Sequence, residues 1–205
     1  MGACEGFNDL QLDVMREIGN IGAGNACTAL SVLLGTTIDM SVPRVHLVGF
    51  ESSEQYLGGK DNVVLGLKVA ITDDLSGMMV HVVQKRFAER IINTFYEKKI
   101  EDLSVLDEMD SSVLNEMANI TSGAYANSIA SLTGFFVNIG TPSQTSGTLE
   151  DVMMAPVREF VAPGEKLLVV DEVFTIEDEH INSNMVLALD KESMTKLFDK
   201  LGVQL

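Results

Sequence analysis

The chain is a duplication, and that feature restricts its fold more than any other. Shifted by 99 residues, "DVMREIGNIGAGNACTALSVLLGTTIDMSVP" (13–43) lies over "SVLNEMANITSGAYANSIASLTGFFVNIGTP" (112–142) across 31 positions without a gap. Glu17 falls on Glu116, Asn20 on Asn119, Gly24 on Gly123, Gly35 on Gly134 and Pro43 on Pro142. Further along the offset becomes 106, and "MVHVVQKRFAERIINTF" (79–95) lies over "MVLALDKESMTKLFDKL" (185–201). Two copies of one unit, about 8–100 and 106–205, are joined by "EKKIEDLSVLDEMD". A unit that small buries too little apolar surface to stand alone. The expectation is one α/β domain, 1–205, whose two halves merge their strands into a central sheet about a pseudo-twofold axis. Long helices flank that sheet in a three-layer α/β/α arrangement.

Each copy opens on a long helix. Leu10, Val14, Ile18, Ile21, Ala29 and Leu33 keep a helical period in the first; Val113, Met117, Ile120, Ala124 and Ile129 do so in the second. Gly35 and Gly134 stand where a left-handed C′ residue closes a helix. Strand-like runs follow: "TTIDMSVPRVHLVGF", "NVVLGLKVAI" and "GMMVHVV", then "GFFVNIGTP", "KLLVVDEVFTI" and "NMVLALD". Amphipathic helices are expected at about 85–98 and 191–202, with a helical turn or two inside "TLEDVMMAPVREF".

Composition removes several function classes. With 30 acids against 14 bases the formal charge is −16, so the basic footprint of a nucleic-acid binder is missing and an anionic membrane would repel the chain. The opening "MGACEGFNDL" has neither the basic nor the apolar region of a signal peptide, and no apolar run approaches a membrane span. The expected location is the cytoplasm. Cys4 and Cys27 form no C-x-x-C pair, and Cys27 reads as a small core residue. His46, His81 and His180 lack metal-ligand spacing, and no phosphate-binding glycine loop or nucleophile elbow is present.

The polar residues that do form a pattern lie on the two long helices. At about 100° per residue, Asp13, Glu17 and Asn20 fall within an arc of roughly 60°, and Ser112, Glu116 and Asn119 repeat the arrangement. A solvent-facing stripe explains one such ridge; its duplication beside glycines argues for more. Glycine inside a helix costs about 1 kcal/mol relative to alanine, so Gly19, Gly22 and Gly24 imply close approach by another backbone. Since only Gly24 has a glycine counterpart, Gly24 and Gly123 are the positions expected to pack closely in both halves. An amide carries both a donor and an acceptor and so holds a water for attack, while a carboxylate three residues away grips a cationic side chain of a substrate. Four oxygen ligands around Mg²⁺ would require the two helices to converge.

These positions resemble the signature of the CheC/CheX/FliY family of chemotaxis phosphatases. Asp13, Glu17, Asn20 and Pro43 match it once, and Ser112, Glu116, Asn119 and Pro142 match it again at the same spacing. "EIGNIGAGNA", the two intact motifs and the similarity over nearly the whole chain favour the CheC branch. The resemblance implies hydrolysis of the aspartyl phosphate on CheY. Asn20 and Asn119 would orient the attacking water, and Glu17 and Glu116 would hold the regulator's lysine. Mg²⁺ would arrive on CheY, this chain needing no cofactor or metal of its own. The resemblance also implies a further partner, the receptor deamidase CheD, on the helix after the second motif. The aspartate expected there has no clear counterpart, Glu150 and Asp151 being the nearest acids. The competing function is a non-catalytic adaptor that binds CheY-phosphate or regulates CheD.

Overall fold

The computed structural model describes residues 9–203; Cys4 and the rest of the opening octapeptide lie outside it, as do the last two residues. The first long helix, α1 (Asp9–Leu34), is followed by β1 (Ile38–Met40), β2 (Arg44–Gly49), α2 (Phe50–Tyr56), β3 (Val63–Asp73), β4 (Gly77–Val83) and α3 (Lys85–Tyr96). The second half repeats the series: α4 (Glu108–Thr133), β5 (Val137–Ile139), β6 (Ser143–Thr148), a π-helical turn (Glu150–Met154) running into α5 (Ala155–Val157), β7 (Lys166–Ile176), β8 (Glu179–Leu189) and α6 (Lys191–Lys200).

The two halves share one eight-stranded sheet, and they share it by exchange. Its order is β1-β7-β8-β4-β3-β5, with β2 also on β7 and β6 also on β3. Each half therefore lays its two short strands on the long strand of the other. At the centre β4 runs antiparallel to β8 with Val80 opposite Val186. Those two residues are also each other's repeat counterparts, so the pseudo-twofold axis passes between them, perpendicular to the sheet.

Strand alternation assigns the two faces. Leu65, Leu67, Val69, Met79, Leu168 and Val170 pack with α1, α3, α4 and α6. Val64, Val80, Val82, Val169 and Val186 pack with Phe50 and Leu57 around α2 and with Val152, Met153 and Val157 around the π-turn. The three layers are as expected, but both long helices lie on one face and only short helices cover the other. An axis perpendicular to the sheet keeps duplicated elements on the same side, which is the physical reason.

Local structure follows the chemistry of the chain. Asp107 caps α4 by accepting from the backbone of Met109 and Asp110, both at 2.9 Å, and Asp110 returns the bond to the backbone of Asp107 at 3.1 Å. Gly35 and Gly134 take φ of +63° and +74° and end the long helices, as their positions predict. The run read as one strand over 36–50 is broken by Pro43 into β1 and β2, and Phe50 opens a helix instead of closing the strand. On α1 the buried stripe is Met15, Ile18, Ala26, Leu30 and Leu34. Leu10 and Ala29, expected inside, are exposed: α1 is apolar on so many sides that periodicity does not fix its rotation.

Candidate functional site

On each long helix the polar ridge faces outward. Asp13, Glu17 and Asn20 are exposed on α1; Ser112 and Glu116 are exposed and Asn119 half-buried on α4. Among the described residues neither Glu–Asn pair makes a side-chain hydrogen bond or ion pair, whereas Asp13 holds Arg16 at 2.6 Å. Pro43 is buried beside α1, where a Cβ at Gly19 would lie 3.9 Å from the Pro43 Cβ and 3.6 Å from Val45 Cγ2. Ser112, Glu116, Asn119 and Pro142 line one groove of about 680 Å³ together with Asn115 and Thr141. In the second copy, then, the motif proline and the helix ridge line the same groove. In the first, Arg16 and Pro43 line a cleft that Glu17 and Asn20 do not.

The prolines are placed by matched bonds. Ser41 donates its backbone N–H to Val173 at 3.0 Å, and its counterpart Gly140 donates to Ala70 at 2.9 Å. Each bond ties the loop before a motif proline to the long strand of the other half.

The helix crossing sets the distance between the two ridges. A Cβ on Gly22 would lie 2.8 Å from Cδ1 of Tyr125, so this glycine admits the aromatic ring of the facing helix. A Cβ added at Gly24, expected to pack closely, would meet nothing within 4 Å, and one at Gly123 would meet only Ile139 at 3.7 Å. The close approach belongs to a pair that differs between the copies: Gly22 and Tyr125 occupy the places of Thr121 and Ala26. A search for shared glycines misses such a compensated exchange. Repeat symmetry centres the crossing near 24 and 123 with the helices antiparallel. Glu17 and Glu116 thus sit about 10 Å to either side of it along the helix axes. The two pairs do not converge, which removes the shared-cation alternative on geometry.

Beneath the helices lie polar groups that the motif does not include. Tyr125 donates to Glu172 at 2.8 Å, and burial lifts the fully enclosed Glu172 carboxyl from 4.5 to about 7. His81, also fully enclosed, lies 2.8 Å from Ser122 Oγ and is pushed by burial from 6.5 down to about 4. Cys27 is half-buried, its thiol raised to about 11 chiefly by burial. On the opposite face Asp171 accepts from Tyr56 and Asn184, both at 2.8 Å, with His46 at 3.1 Å, in a cleft of about 960 Å³. No sequence spacing announces this cluster, because its members come from four separate elements. His180 is exposed and contacts Thr175 at 2.9 Å.

Glu150 is engaged by Arg158, while Asp151 is exposed and accepts from Thr148 at 2.8 Å. Both stand on the π-turn at the short-helix face, away from the long-helix ridges. Among the described residues no group of three or more His, Cys, Asp or Glu is placed to hold a metal, and no helix is long and apolar enough to cross a membrane.

The interlocked α/β duplicate is the fold seen in solved FliY and CheX structures. The chain belongs to the CheC-like family, whose model matches residues 10–47 and 109–145, the two motif segments. It is 32% identical over 210 residues to the CheY-P phosphatase CheC of Bacillus subtilis (strain 168), covering 100% of both chains. To the flagellar motor switch phosphatase FliY of the same organism it is 27% identical over 138 residues, 66% of this chain and 35% of FliY. The crystal structure of Thermotoga maritima FliY superposes with a TM-score of 0.77 at 24% identity, covering 97% of this chain and 98% of that one.

Proposed function

We propose that this protein hydrolyses the aspartyl phosphate of a phosphorylated CheY-type response regulator, with Asn20 and Asn119 each positioning the attacking water. The observation that carries the reading is the freedom of both pairs. A purely structural duplicate would engage or bury its Glu and Asn side chains, and these face outward and have no internal partners among the described residues. The backbone beneath them is held by helix packing, so the side chains meet a partner on a fixed platform. The similarity over the whole chain to a CheY-P phosphatase supports the same reading.

The chemistry needs no nucleophile from this chain. The amide oxygen of Asn accepts a hydrogen bond from the water and fixes its lone pair toward phosphorus; both of the water's protons leave with the inorganic phosphate. As the new P–O bond forms, the bond from phosphorus to the aspartyl oxygen breaks. The aspartate leaves as a carboxylate, and inorganic phosphate carries the water's oxygen. Glu17 or Glu116 pairs with the regulator's lysine and sets the register of the two proteins, while the Mg²⁺ at the phosphoryl group belongs to the substrate. Positioning is then the whole contribution, and misplacing a reacting group by about 1 Å costs on the order of 100-fold.

The test is phosphate release from the regulator with Asn20→Ala, Asn119→Ala and the double variant. Each single variant is expected to keep the turnover of its intact pair, and the double variant to fall by about 100-fold or more. A double variant as fast as the parent refutes the assignment; saturable binding with no acceleration by the parent protein selects the adaptor function instead.

A further inference from the structure

We propose that Met109 and Leu10 are apolar anchors on which the substrate regulator seats, one beside each Glu–Asn pair; this rests on the function proposed above. Both are large, both are exposed, at 57% and 58%, and each is the other's repeat counterpart. A single exposed apolar side chain on a surface requires no explanation. Two of them, at the same place relative to the two polar ridges, do require one.

Their position follows from helix geometry. Met109 precedes Glu116 by seven residues and Leu10 precedes Glu17 by seven, so each lies within about 20° of its glutamate on the same stripe. The rise along the helix separates anchor from glutamate by about 10 Å and anchor from asparagine by about 15 Å. A partner that buries about 800 Å² per side covers a disc of roughly 16 Å radius. Any regulator docked on the Glu–Asn pair with an ordinary footprint therefore covers the anchor as well. The capping box that fixes the start of α4 leaves Met109 in the first turn with its side chain outside the core. Interfaces place large flexible or aromatic apolar groups near charged contacts that set register, and methionine adapts its shape to the partner.

The occupant is thus the phosphorylated regulator itself, held by an apolar contact that is the same before and during the phosphoryl step. Such uniform binding lowers KM and leaves kcat alone. The experiment measures phosphate loss against regulator concentration for Leu10→Gln, Met109→Gln and the double variant, with Val63→Thr as an exposed apolar control on β3. Glutamine keeps the length and helix preference of the replaced side chains, so folding is preserved. The double variant is expected to raise KM about tenfold with kcat within twofold, and the control to change neither. Binding of phosphorylated regulator to the Asn20→Ala/Asn119→Ala protein supplies a turnover-free readout, in which removing both anchors is expected to weaken Kd about tenfold. Unchanged KM and Kd in the anchor variants overturn the anchors while leaving the phosphatase reading intact. Full turnover in the asparagine double variant overturns that reading instead.

Discussion

Gly22 and Gly24 stand two residues apart on α1, and the structure assigns opposite signs to the same substitution at each. At Gly24 an added Cβ meets open space, so Gly24→Ala gains the helix preference of alanine, about 1 kcal/mol. At Gly22 the same gain applies, but the Cβ would lie 2.8, 3.0 and 3.1 Å from three atoms of the Tyr125 ring. That ring cannot swing aside cheaply, being 2% exposed and tethered through its hydroxyl to buried Glu172. Overpacking of this kind costs about 1–3 kcal/mol, which leaves Gly22→Ala net destabilising by about 1 kcal/mol. The two variants should differ by about 2 kcal/mol. In a chain of this size that is roughly 4–8 °C in Tm, read by thermal unfolding under one buffer condition. If both alanines stabilise alike, the contact between Gly22 and Tyr125 is wrong, and with it the placement of the helix crossing.

Two further outcomes follow from groups away from the ridge. The folded state keeps a proton on Glu172 that the unfolded chain releases, so this group's contribution to stability falls as pH rises from about 4.5 through about 7; buried His81 acts oppositely, its contribution being lost as pH falls from about 6.5 through about 4. The two slopes oppose each other where they overlap, and Glu172→Gln, by leaving His81's alone, should make the variant lose stability relative to the parent on acidification below pH 6.5 by roughly 1 kcal/mol per pH unit, as denaturant titrations at several pH values will read; parallel curves would show that Glu172 is ionised in the fold. Asp107→Ala removes the acceptor for two backbone N–H groups at the start of α4 and should cost about 1 kcal/mol, checked by urea unfolding, with Asp107→Asn recovering most of the loss.

Much of this arrangement was legible in the chain, and the parts that were not share a cause. The long helices, their closing glycines and the two motif prolines all declare themselves through local chemistry or through repetition. The pairing of β1 and β2 with β7 does not. A hydrophobic strand run satisfies a neighbour from its own half as well as one from the other half, so pattern alone leaves the exchange undecided. β6 was missed for a different reason: "SQTSGT" is polar because it lies on the sheet edge, half-exposed on both sides. Only its alignment with "RVHLVG" of β2 marks it as a strand. The rotation of α1 was misjudged at Leu10, and that departure became informative. Leu10, which periodicity would place inside, is instead outside, as is its repeat counterpart Met109 on α4.

The exchange of strands explains why the duplicated sites are not two independent copies of one device. The loop that carries Pro43 is fastened through Ser41 to Val173, on the long strand of the second half, and the loop that carries Pro142 is fastened through Gly140 to Ala70 of the first. The helices bearing the two pairs cross through the unequal contact of Gly22 with Tyr125, whose hydroxyl is held by Glu172 on that same strand β7. Each ridge therefore rests partly on the half that bears the other. A half separated from its counterpart would lose the strand on which its own proline loop is fastened and would expose β3 or β7 as an unpaired edge. Duplication supplied two ridges, and interlocking made the rigidity of each depend on both halves, which is what the water-positioning role proposed for Asn20 and Asn119 demands of the backbone beneath them.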